Sequence, residues 1–82
     1  MIKEVKQMEE KILGIIEQIN PDVLTYTGDT MMEDGTVDSF EVIDIVSALE
    51  EEFGIEIDAS YVVAENFANK EAIINMMKEI LG

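Results

Sequence analysis

Apolar residues Ile2, Val5, Met8, Ile12, Ile15, Ile16 and Ile19 recur at the three-to-four-residue spacing of one helical face. They predict a first helix from about Ile2 to Ile19. Asn20-Pro21 stops it, because the residue before a proline is driven out of the helical region. From Asn20 to Val37 the period is lost, and Gly28 and Gly35 punctuate a stretch rich in Thr and Asp. So long a connection inside a compact fold is expected to be functional or to pack its own side chains. Val23, Leu24, Tyr26 and Met31 are the residues expected to pin it.

The helical period returns with Val42, Ile45, Val46, Leu49 and Phe53. Asp38 opens this helix: an N-cap carboxylate followed three residues later by Glu41 is a capping-box pattern. Gly54 is its natural stop. Ile55-Glu56-Ile57 reads as an extended connector that buries Ile55 and Ile57. Asp58 or Ser60 is expected to cap a short helix through Tyr61, Val62, Val63 and Ala64. Asn69 is expected to cap a last one from Lys70 to Leu81, with Ile73, Met76, Met77 and Ile80 inward. The sum is an all-α bundle in one domain, residues 1–82, with three main helices, one short helix and a long first loop.

Composition narrows the function. The 82 residues include no cysteine and no histidine. That removes disulfides, thiolate nucleophiles and the usual general base near neutral pH. The chain is therefore poorly equipped for catalysis of its own, and no catalytic residue is assigned. All five lysines (Lys3, Lys6, Lys11, Lys70 and Lys78) lie near the ends, and the fourteen Asp and Glu between Ile12 and Asn69 match the net charge of −14. Such a surface repels nucleic acid and anionic membranes and attracts basic protein patches. With no signal-like or membrane-spanning run, the protein is expected to be a cytoplasmic monomer.

An EF-hand register fits in part. With Gly35 at position six, Asp34, Val37, Asp38 and Glu41 fall at five, eight, nine and twelve. Positions one and three are then Thr30 and Met32, and a thioether cannot ligate a hard calcium ion. No metal site is assigned. The stronger segment is Asp38-Ser39-Phe40. At its plainest it is a helix cap, a first-turn serine and a buried Phe40. Yet a serine at a helix N-terminus sits where backbone N–H groups favour an attached phosphate. Phe40, Ile43 and Ser47 also form a second face, away from the core stripe and rimmed by Glu41, Asp44, Glu50 and Glu51. That face suits partner docking.

At these residues the chain resembles the acyl carrier protein family. The stretch from Glu33 through Asp34, Gly35, Thr36, Val37, Asp38 and Ser39 to Phe40 is similar to its attachment-site motif. Ala48-Leu49-Glu50-Glu51-Glu52-Phe53-Gly54 resembles the end of its second helix. The resemblance implies a four-helix acyl-carrier-type bundle. It also implies covalent 4′-phosphopantetheine on Ser39, brought from coenzyme A by a phosphopantetheinyl transferase, with Asp38 assisting through the transferase's magnesium. The arm's thiol would carry cargo as a thioester. Further partners would be an acyl- or aminoacyl-loading ligase and downstream transferases or synthases. The fatty-acid members usually have Leu where Phe40 stands, and Gly where Thr36 stands. Gly35-x-x-Asp38-Ser39-Phe40 is closer to the D-alanyl carrier proteins. The acidity of the second helix resembles the fatty-acid members, and Ala64-Glu65-Asn66-Phe67 is found in stand-alone carriers of both kinds. The cargo is thus fatty acyl or, alternatively, D-alanyl or another aminoacyl group.

Overall fold

The computed structural model describes the backbone of residues 2–82 and the side chains of residues 6–82. Helix α1 (Ile2–Ile19) buries Ile12 and Ile16 and half-buries Met8, Ile15 and Ile19. The expected inward side chains of Ile2 and Val5 lie outside the described residues. The helix ends as expected, with the Asn20 N–H donating to the Ile16 carbonyl at 2.8 Å before Pro21. A single helical turn, α2 (Asp22–Thr25), follows immediately and was not foreseen. Pro21 already holds a helical φ of −62°, and Asn20 Oδ1 accepts the Asp22 N–H at 3.0 Å.

The long first loop is packed rather than free. Val23, Met31 and Val37 are buried, while Leu24 and Tyr26 are half-buried. The Tyr26 hydroxyl accepts the Thr30 N–H at 3.0 Å and donates to the Asp34 carboxylate. Its ring crosses Gly28, where a Cβ would collide with it. Three ties run from this loop to residues 68–70. Met31 N–H donates to the Ala68 carbonyl at 3.2 Å, Asn69 Nδ2 to Gly28 O at 3.1 Å, and Lys70 Nζ to Leu24 O at 2.9 Å.

Helix α3 (Ser39–Phe53) buries Val42, Ile45 and Leu49, and half-buries Val46 and Phe53. Gly54 closes it in the left-handed region at φ 63°, where a side chain would be strained. The connector buries Ile57, but Ile55 is only half-buried. No strand forms among the described residues.

The short helix expected through Tyr61–Ala64 is replaced by two 3₁₀ turns, Ala59–Tyr61 and Ala64–Phe67. Asp58, not Ser60, caps the first by accepting the Ser60 N–H at 2.9 Å. Two β-branched residues, Val62 and Val63, leave the helical region between the turns, with ψ of 74° and 156°. Asn66 Nδ2 then holds the Tyr61 carbonyl at 2.8 Å. Phe67 inserts into the core.

Helix α4 (Lys70–Leu81) starts at Asn69, whose side chain accepts the Ala72 N–H at 2.8 Å. It buries Ile73, Met76 and Met77, with Ile80 half-buried. Helix α1 packs against α2, α3 and α4, so the core is shared by every element. Each fully buried Ile, Leu or Phe contributes roughly 1.5–3 kcal/mol. Exposed ion pairs such as Lys78–Glu9 at 2.9 Å and Lys11–Glu52 at 3.7 Å contribute about 0–1 kcal/mol each. Apolar packing therefore decides the fold.

Candidate functional site

The candidate site is the start of α3. Asp38 is extended, with φ −105° and ψ 175°, and both halves of the capping box are formed. Its Oδ1 accepts the Glu41 N–H at 2.8 Å, and Glu41 Oε1 accepts the Asp38 N–H at 3.2 Å. The Val42 N–H goes to the Asp38 carbonyl at 3.0 Å. Among the described residues, the N–H groups of Ser39 and Phe40 are left without a protein acceptor. Ser39 is the first residue of the helix and is exposed. A phosphate on its hydroxyl would meet two free N–H donors at the positive end of a fifteen-residue helix. The residues present therefore fit a phosphate-linked group.

Phe40 is not buried. It is 77% exposed and Ile43 is 57% exposed, the two most exposed large apolar side chains among the described residues. With Asp44, Ser47 and Glu51, all exposed, they fall at helical spacing on one face. The five side chains thus share one exposed face of a single helix. The two other acids assigned to it have structural work as well. Glu41 is half-buried in the capping box, and Glu50 accepts the N–H of buried Ile57 at 2.8 Å, tying the connector to α3.

A further residue was missed. Asn20 Nδ2 donates to the Thr36 carbonyl at 2.7 Å and to Glu41 Oε1 at 3.1 Å. Asn-Pro at the end of a helix signals only a stop, and no spacing rule links it to residues sixteen and twenty-one positions on.

The EF-hand ligand positions are otherwise engaged. The Thr30 hydroxyl donates to the Asp34 carboxylate at 3.2 Å, and Tyr26 holds the same carboxylate. Among the described residues, no group of three acidic side chains is disposed to hold a metal ion. No described helix is long and apolar enough to cross a membrane.

No protein-family model matches the chain, and no solved structure matches it. It is similar to the acyl carrier protein of Buchnera aphidicola subsp. Baizongia pistaciae (strain Bp). The two are 32% identical over 78 residues, which cover 94% of this chain and 90% of that protein.

Proposed function

The chain belongs to the acyl carrier protein family, and we propose that Ser39 is its attachment point for 4′-phosphopantetheine. It is an acyl carrier and not an enzyme. When bound, the group supplies a long arm whose terminal thiol holds an acyl cargo as a thioester. The observation that carries the assignment is Ser39 itself: an exposed hydroxyl on the first residue of α3, beside two unpaired N–H groups. Asp38 holds the helix start in register through its Oδ1, and its carboxylate, one residue before the serine, is the group that would assist a transferase's magnesium. The absence of cysteine leaves the arm's thiol as the sole one on the molecule.

Residues 1–82 act as one carrier domain, a cytoplasmic monomer. Partner enzymes (the phosphopantetheinyl transferase, a loading ligase and acyl transferases or synthases of fatty-acid or related biosynthesis) dock on the α3 face. There Phe40 and Ile43 supply apolar contact, Ser47 permits close approach, and Asp44 and Glu51 with Glu41 and Glu50 supply charge. Rim charges hasten encounter more than they add affinity, which suits a carrier that must be released.

The cargo is tested by loading. The transferase-treated protein is offered a fatty acid with an acyl-carrier-protein ligase and, separately, D-alanine with its adenylating ligase. A hydroxylamine-labile fatty acyl adduct that Ser39→Ala lacks is the expected result. D-Alanine loaded in preference would overturn the fatty-acyl reading while leaving the carrier role intact.

A further inference from the structure

We infer that Asn20 is a positioning residue for the modification of Ser39, an inference that rests on Ser39 being the attachment site. Asn20 stands where three elements meet. Its backbone N–H is fixed to Ile16, a core residue of α1. Its Oδ1 holds the Asp22 N–H at the start of α2. Its Nδ2 reaches across the long loop to the Thr36 carbonyl at 2.7 Å and to Glu41 Oε1 at 3.1 Å.

Glu41 Oε1 is the same atom that accepts the Asp38 N–H. The amide of Asn20 is thus linked to Asp38, the residue that caps the helix, through two hydrogen bonds that share one oxygen. Through Thr36 it also holds the chain three residues before the serine. The capping box fixes Asp38 relative to α3, but it does not fix how the loop enters α3 relative to the rest of the molecule. Buried Val37, whose N–H donates to the Met31 carbonyl at 3.2 Å, does so in part, and Asn20 adds two points, one on each side of Asp38, from an anchor in the core. Both donors of its amide group and its carbonyl oxygen are used.

Ser39 lies in the first turn of α3, where fraying is felt most. Without the Asn20 bonds, Glu41 and the 36–38 segment gain freedom, and the serine hydroxyl samples a wider volume. A transferase would still dock on the face of α3 that carries Phe40 and Ile43. Fewer docked complexes would hold the hydroxyl in line for attack. The loss therefore belongs in kcat rather than in KM.

The test is steady-state modification of the full chain by a phosphopantetheinyl transferase with coenzyme A and magnesium. It is run below the melting midpoint of every variant. Asn20→Ala is expected to lower kcat about three- to tenfold, with KM for the carrier changed less than about twofold. Asn20→Asp keeps the acceptor for Asp22 but turns an oxygen towards Glu41, and its kcat is expected to fall at least as far. Asn20→Gln keeps both amide donors and the amide oxygen on a side chain one methylene longer, and part of the loss should return. Asn69→Ala, which removes the cap of α4, is the control for lost stability and should leave kcat unchanged. A wild-type kcat for Asn20→Ala overturns the inference, as does an equal loss in Asn69→Ala or no recovery in Asn20→Gln. If Asn20→Ala fails to fold, Asn20→Gln against Asn20→Asp decides alone: a kcat for Asn20→Gln no higher than that of Asn20→Asp overturns the inference. Ser39→Ala separates the two readings: if it is inert while Asn20→Ala is normal, the brace alone is wrong. If Ser39→Ala is modified, the attachment site is wrong and the brace falls with it.

Discussion

Phe40 is the residue whose placement says most. A phenylalanine left 77% exposed is unfavourable in the free protein and useful only when something covers it. Phe40→Ala is expected to leave stability within about 0.5 kcal/mol of wild type. It should slow modification by the transferase by about 1–2 kcal/mol, roughly five- to thirtyfold, from the apolar area no longer covered. The loss should be the same at low and high salt; a loss that disappears with salt would mean that Phe40 is not a contact. Glu50 behaves differently from a free rim charge. Its bond to the Ile57 N–H means that Glu50→Ala should lower stability by about 1 kcal/mol in urea unfolding, since a part-buried donor loses its acceptor. Asp58 carries a pH dependence. The Ser60 side chain and N–H hold its carboxyl below the ordinary 3.8. A folded pKa below the unfolded one gives stability that is full above the unfolded value and is lost as pH falls from about 3.8 through the folded one. NMR titration of the Asp58 side chain should give a midpoint below 3.8 in wild type and a higher one in Ser60→Ala. Equal midpoints in the two proteins would remove the Ser60 hydroxyl as a cause.

At the scale of elements, α3 carries both the proposed attachment site and the proposed docking face. Asp44 and Glu51 share its exposed face with Phe40 and Ile43, without the structural bonds that engage Glu41 and Glu50. Reversing both, Asp44→Lys with Glu51→Lys, should slow the transferase about tenfold at low salt, as two weak contacts of about 0.2–1 kcal/mol each are turned into repulsions. The effect should shrink as salt rises. Glu17→Lys with Glu79→Lys, on α1 and α4, changes the total charge equally. An equal slowing by that pair would show that the enzyme senses charge and not α3. The three long helices were legible because each states itself locally. The period of Val42, Ile45 and Leu49, the Asp38–Glu41 box and the Gly54 stop all lie within seventeen residues. The short elements were not legible in the same way. Whether Tyr61–Ala64 form one helical turn or bracket two 3₁₀ turns depends on Phe67 entering the core and on Asn66 holding Tyr61, neither of which a local pattern encodes. The bonds of Asn20 were hidden for the same reason: its partners are made neighbours only by the tertiary fold.

The whole molecule is an acidic particle with its cations at the chain ends. Repulsion among the carboxylates of residues 12–69 is opposed by little but the apolar core. Raising salt from low to moderate concentration at pH 7 should therefore raise the melting temperature by several degrees, about 1 kcal/mol for a chain of this size. A melting temperature that does not respond would show that the charges are too well spread to matter. The same field would attract basic patches of a partner to the molecule, and the docking proposed on α3 would set where they land. The proposed attachment at the Ser39 hydroxyl is tested most directly by the intact mass of the protein. The apo protein and Ser39→Ala are incubated with coenzyme A, magnesium and a broad-specificity phosphopantetheinyl transferase, and each is weighed. Wild type should gain the mass of one phosphopantetheinyl group and Ser39→Ala none. A gain by both, or by neither while a known carrier in the same tube is converted, would contradict the assignment of Ser39.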